Sequence, residues 1–145
     1  MAINTKKVLL GGFVAGVVMN AIDFVVNGYL LAARMKAETD AFKPGLSDQM
    51  MSGKAVAGYI VMDFVLGILL VWTYAAIRPR FGPGIRTASY AALLFWILTM
   101  IFLSGYMHMG MMSAGLWWTF AVIGLVNYLL SAWAGAKFYT EDSAV

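Results

Sequence analysis

The sequence has no cysteine, which removes thiol–disulfide exchange, iron–sulfur ligation and thiolate zinc sites from consideration. It has one histidine, His108, so two histidines of one chain cannot clamp a haem. Charge is scarce too: 12% of residues are Asp, Glu, Lys or Arg, against about 25% in an average soluble domain. Proline occurs three times, and Pro44, Pro79 and Pro83 all fall between apolar runs.

What is present is apolar surface. Hydrophobic residues make up 62% of the 145-residue chain, and the mean hydropathy is +0.80. A water-soluble core of this size would leave that excess exposed, so the composition indicates a polytopic membrane protein. Four runs reach the roughly 20 residues that span a bilayer, at about residues 8–33, 55–77, 87–109 and 115–137. The expected fold is all-α, a single four-transmembrane-helix bundle covering residues 1–145. Lys6 and Lys7 precede the first run as in a signal peptide. That run exceeds a 7–15-residue signal core and lacks a small-residue cleavage pattern, so it reads as an uncleaved span.

The net charge of +3 does not indicate a nucleic-acid partner, because the basic residues sit at the ends of the apolar runs. Lys6, Lys7, Arg78, Arg80, Arg86 and Lys137 fall on one side, and Arg34, Lys36, Lys43 and Lys54 on the other. The excess on the first side places both termini in the cytoplasm. Tyr74, Tyr90 and Tyr139 would then mark the inner interface, and Tyr106, Trp117 and Trp118 the outer one.

The connections differ in character. Ala33–Glu38 has strong helix formers and no breaker, so the first helix should continue past the membrane surface until Lys43-Pro44-Gly45 turns the chain. Ser47 is the expected N-cap of the next helix, with Asp48 in its first turn. In the inner connection Arg78–Arg86, Pro79 should end the second span near Ile77, and the arginines suit anionic headgroups. The loop matches no phosphate-binding pattern.

The first span carries most of the chemistry. At about 100° per residue, Gly12, Gly16, Asn20, Asp23 and Asn27 share a stripe roughly 80° wide, with Arg34 on the same line. Lipid cannot solvate such a stripe, so it must face protein, a cavity or an ion. At 1.5 Å per residue, Asp23 lies roughly 22 Å above Val8, and Asp63 about 12 Å below the other end of its own span. The two carboxylates are expected at similar depth in the outer half. Each costs on the order of 2.5–3.5 kcal/mol on the insertion scale. A facing pair would share a proton or hold a cation; alternatively each accepts hydrogen bonds that fix the bundle. Tyr59 shares a helix face with Asp63, and Asn127 needs a partner for which Asn20 and Asp23 compete. Gly12, Gly16, Gly67, Gly124, Ser131 and Gly135 supply small faces on which helices approach closely, within one chain or between chains.

Met107, His108, Met109, Met111 and Met112 cluster at the outer end of the third span. Thioethers and an imidazole suit Cu(I), and His108 alone suits an axial ligand for a pigment or haem. Methionine also fills apolar gaps, and interfacial packing is the competing reading. Ser104 and His108 are spaced to hydrogen-bond, but no acid or oxyanion hole completes a hydrolytic set, and no enzyme is expected.

The segments Asp23–Gly28, Trp72–Gly84 and Gly135–Tyr139 resemble a group of small bacterial four-helix membrane proteins to which no function is assigned. The resemblance implies a bacterial inner-membrane location and supplies no catalytic residues. Three functional expectations follow from the residues. The first is a non-enzymatic structural or accessory protein, self-associating or part of a larger membrane complex and bounded by the lipid bilayer. The second is a small proton- or cation-coupled transporter using Asp23 and Asp63. The third is an outer-face copper site at His108. No cofactor is expected apart from that Cu(I) or pigment ligation.

Overall fold

The computed structural model describes residues 3–141. All regular structure among them is helical: α1 (Thr5–Val25), a π-helical segment (Val26–Leu30), α2 (Ala32–Phe42), α3 (Leu46–Met50), α4 (Gly53–Phe81), α5 (Ile85–His108) and α6 (Ala114–Lys137). Four helices are long and apolar enough to cross a membrane: Thr5–Leu30, Gly53–Phe81, Ile85–His108 and Ala114–Lys137. They form an up-and-down bundle in which α1 lies between α4 and α6, and α5 closes the far side against α6 and α4. The start of α1, the end of α6 and the α4–α5 turn share one end; the α2–α3 hairpin and the α5–α6 turn share the other. Phe13, Val17, Phe24, Trp72, Ile101, Phe102 and Val122 point outward, an apolar surface suited to hydrocarbon rather than water.

The interior is built from small residues rather than a large aliphatic core. Ala15, Ala75, Ala88, Ala91, Ala92 and Ala132 are buried, around Leu70, Val71 and Met19. Where α1 crosses α4, a Cβ on Gly67 would lie 2.5 Å from the Gly12 carbonyl oxygen and 2.6 Å from the Gly16 nitrogen. Where α1 crosses α6, a Cβ on Gly11 would lie 2.6 Å from the Gly135 carbonyl oxygen. Backbone-to-backbone approach of this kind maximises dispersion contact when lipid removes the hydrophobic incentive to associate.

Three local expectations are corrected. The first helix does not run unbroken into α2. Leu31 donates its N–H to the Val26 carbonyl at 2.8 Å, a π-type turn that leaves Leu31 at φ −112°. The turn buries Val26 and Leu31 against Leu116 of α6, so tertiary packing redirects a sequence with good helix propensity. Ser47 is not a cap: Gly45, in the left-handed region at φ 79°, precedes α3, and Ser52 caps α4 by accepting from the Ala55 N–H. Pro79 does not end the second span, which continues to Phe81. Proline's ring costs a helix one hydrogen bond and crowds the preceding turn. That cost falls in the last turn of α4, where Gly82 closes the helix by donating to the Arg78 carbonyl at 2.8 Å. The non-helical turn is thus only Gly82–Gly84, whose glycines at φ 82° and 115° occupy conformations closed to most residues.

Candidate functional site

The polar stripe of α1 divides between two neighbours. Gly12 lies against Ile68 and Gly16 against Phe64 of α4. Asn20 donates to the Gly16 carbonyl at 2.9 Å and to the Ile60 carbonyl at 3.3 Å. Asp23 turns the other way and accepts from the Asn127 amide at 2.9 Å. Ser131 in turn donates to the Asn127 oxygen at 3.1 Å. Asn127 and Ser131 are both buried, so α6 meets the Asp23 carboxyl with a short relay of donors. Asn127 is therefore tied to Asp23 and not to Asn20. Asn27 falls within the π-helical segment, and Arg34 beyond it reaches toward α6, the helix that Asp23 also faces.

The register also corrects the depth of Asp63. The contacts Gly12–Ile68, Gly16–Phe64 and Asn20–Ile60 fix an antiparallel alignment in which Asp63 lies level with Val17. At 1.5 Å per residue that is about 9 Å along the bundle from Asp23. Asp63 thus sits near mid-depth rather than in the outer half. The two carboxylates are staggered rather than facing, and no hydrogen bond joins them. The glycine crossing sets this offset. Among the described residues no donor meets the half-buried Asp63 carboxyl; Tyr59, one turn away, is exposed and does not bond it.

Two further polar groups join this layer, and neither was singled out from the sequence. Thr99 of α5 and Tyr128 of α6 share a hydrogen bond at 2.7 Å. Tyr128 follows Asn127 directly, and a polar pair inside an apolar span is the signal that marks it.

At the hairpin end, a clamp holds α2 to the start of α6. Glu38 accepts from the Ser113 N–H at 2.7 Å and from the Ser113 hydroxyl at 2.8 Å. Arg34 donates to Glu38 at 3.1 Å, to Ser113 at 3.3 Å and to Thr119 at 3.4 Å. Desolvation pushes the Glu38 carboxyl up, yet the Ser113 donors and the Arg34 guanidinium outweigh it and hold it below the ordinary value. A second network closes the α2–α3 hairpin. Asp40 accepts from the Ser47 hydroxyl at 2.8 Å and the Ser47 N–H at 3.0 Å, and Lys36 pairs with Asp40 and Asp48. The Ser47 hydroxyl and the Lys36 ammonium lower Asp40 to about 2, and the same carboxylates raise Lys36.

The methionine-rich stretch lies around the end of α5 and the turn into α6. His108 Nδ1 lies 2.6 Å from the Ser104 carbonyl oxygen, while the Ser104 hydroxyl donates to Ile101. The expected Ser104–His108 bond therefore runs to backbone, not to the hydroxyl. Met112 packs against the Val26–Leu31–Leu116 cluster, and Met109 is exposed; Met107 and Met111 are half-buried. Among the described residues no group of three or more His, Asp or Glu is placed to hold a metal ion.

The small residues sort by tightness. Gly12, Gly16, Gly67 and Gly135 are consumed by contacts within the chain, whereas a Cβ on Gly124 would meet only Trp96 and Met100 side chains at 3.7 and 3.9 Å. Comparison with protein-family models, with curated proteins and with solved structures finds no match to this chain.

Proposed function

We propose that this chain is a non-enzymatic structural subunit of a membrane assembly, one that associates with further copies of itself through α4. The observation that carries the reading is Asp63. Its carboxyl lies near mid-depth without a donor among the described residues, bordered by exposed Tyr59, Ile60, Val61, Met62 and Val65. An ionised carboxylate facing hydrocarbon is unfavourable, and a hydrogen bond across a helix–helix contact relieves it. Asp23, by contrast, is met by Asn127, which supports a role for that carboxyl in fixing the bundle. The same reading gives the chain cytoplasmic termini, on the strength of the basic residues at that end, and a bacterial inner membrane, on the resemblance carried by Asp23–Gly28, Trp72–Gly84 and Gly135–Tyr139. Cross-linking and native mass spectrometry in mild detergent test it. A stable oligomer that Asp63→Leu dissociates is expected; a strictly monomeric, partner-free protein overturns it.

One observation favours a second reading, proton- or cation-coupled transport. Asp23 and Asp63 are two carboxyls inside the apolar spans, staggered by about 9 Å along the bundle axis, as successive stations for a proton would be. Reconstitution in liposomes with a pH-sensitive dye decides between the two, and Asp23→Asn transporting as well as the unaltered chain rules against transport.

A further inference from the structure

At the end of the bundle where α4 meets α5 and α6 closes, Tyr74, Arg78, Pro83, Gly84, Ile85, Trp133, Ala136, Lys137 and Tyr139 line an open pocket of about 240 Å³. Its floor is fixed. Tyr74 and Tyr139 meet edge to face at 5.9 Å; the Tyr74 hydroxyl accepts from the Gly84 N–H at 3.2 Å, and the Tyr139 hydroxyl from the Asn4 N–H at 3.4 Å. Both tyrosines, expected at an interface, are buried as a result. Arg78 lies over the Tyr139 ring, 5.6 Å from its centre.

The guanidinium is incompletely matched. Its Nε and Nη1 are buried and no hydrogen-bond acceptor within the described residues meets them. Glu141 approaches Nη1 at 3.3 Å as an ion pair, outside hydrogen-bonding geometry. Arginine presents five N–H donors in a planar fork whose natural complement is a carboxylate or phosphate bound through two oxygens. Lys137 brings a second cation to the same cavity, so Arg78, Lys137 and Glu141 together leave one positive charge. Trp133, Ile85 and Pro83 supply an apolar wall beside it. The cavity is smaller than the roughly 300–1,000 Å³ of drug-sized sites, which suits a compact anion rather than a bulky cofactor.

We propose that this pocket binds a phosphate group at Arg78 and Lys137, supplied by an anionic lipid headgroup or by free phosphate. Basic pockets between spanning helices at the membrane surface recognise lipid phosphates by this chemistry. Arg80, at the same end of the bundle, lies against the Phe81 ring and outside the cavity, so general surface charge and the pocket are separable.

The test uses the full chain in phosphatidylcholine nanodiscs and in mixed micelles. Native mass spectrometry reads retention of phosphatidylglycerol, and ³¹P line broadening reads binding of inorganic phosphate. Retention of phosphatidylglycerol over phosphatidylcholine assigns the lipid source; broadening by inorganic phosphate that Arg78→Gln abolishes assigns the free anion. In either arm Arg78→Gln and Lys137→Gln each weaken binding by more than about fivefold, the effect of one basic residue at an anionic surface, and Arg80→Gln by less. Lys137 is exposed, so its variant keeps the test valid if Arg78→Gln fails to fold. Glu141→Gln strengthens binding by removing the competing carboxylate, which a purely structural Arg78–Glu141 pair would not do. Equal losses in the Arg78 and Arg80 variants, or no phosphate or lipid preference at all, overturn the proposal.

Discussion

Asp23 and Asn127 stand 104 positions apart in sequence and meet at 2.9 Å between α1 and α6. The contact gives a carboxyl inside an apolar span a donor, and it pins two helices whose backbones already touch at Gly11 and Gly135. It is the one polar tie from α1 to α6 within the membrane-spanning layer among the described residues.

Replacing Asn127 by alanine removes the donor to Asp23 and the acceptor for Ser131 together. Leaving a buried polar group unmatched costs about 1–3 kcal/mol, and hydrogen bonds between spanning helices average nearer 0.6 kcal/mol. Asn127→Ala should therefore lower stability by about 1–2 kcal/mol, measured by unfolding from mild detergent into SDS. Ser131→Ala, which cuts only the outer link, should cost less. Equal losses in the two variants would show that the Asp23 contact contributes little.

The glycines make a sharper contrast. A methyl group on Gly67 would meet backbone atoms of α1 at 2.5 and 2.6 Å, and backbone cannot rotate away as a side chain does. Gly67→Ala should force α1 and α4 apart and destabilise by about 1–3 kcal/mol or more, the range for overpacked cores. Gly124→Ala meets only ordinary contacts and should fall within about 0.5 kcal/mol of the parent. Parallel SDS titrations decide the matter; a tolerated Gly67→Ala would mean that α1 and α4 cross less tightly than backbone contact at Gly67 requires.

These residues also show where sequence reasoning reaches and stops. The four spans, the close-packed Gly12–Gly16 face and the need of Asn127 for a partner are all legible, because apolar length and intramembrane polarity leave few alternatives. The π-turn at Val26–Leu30 is not, because it carries no compositional mark, and it accompanies the burial of Leu31 against Leu116 of α6. The depth of Asp63 is misjudged for a related reason. Counting residues from a helix end assumes equal overhangs, whereas the glycine crossing sets the true register. The Glu38–Ser113 clamp joins two connections that look merely solvated, and only the fold brings them together. The extension of α4 past Pro79 shows the tolerance of a final turn for a residue that would break a helix interior.

Titration of the hairpin has a definite sign. Asp40 is held at about 2, below its ordinary 3.8, and Glu38 is also lowered. Carboxyls depressed by folding contribute stability that is present above their unfolded values and lost as pH falls through the folded ones. Lys36 is raised above 10.5, so its contribution is full below that value and lost as pH rises through the folded one. The α2–α3 hairpin should hold its geometry from about pH 5 to 10 and loosen as pH falls toward about 2. With no native cysteine, spin labels at Ala37→Cys and Gln49→Cys report the distance directly. A hairpin that opens between pH 6 and 8 would contradict the assignment.

Asp63 offers the test that separates internal architecture from assembly. Its carboxyl has no donor within the described chain, so replacing it by leucine removes a burial cost on the order of 2.5–3.5 kcal/mol on the insertion scale without breaking a contact. Asp63→Leu should leave the monomer as stable as the parent or more so, while weakening self-association. Asp63→Asn, which keeps hydrogen-bonding capacity, should retain more of the oligomer. Stability by SDS titration and association by native mass spectrometry then move in opposite directions. If Asp63→Leu destabilises the monomer itself, the carboxyl has an internal role and the α4 face is not where copies meet.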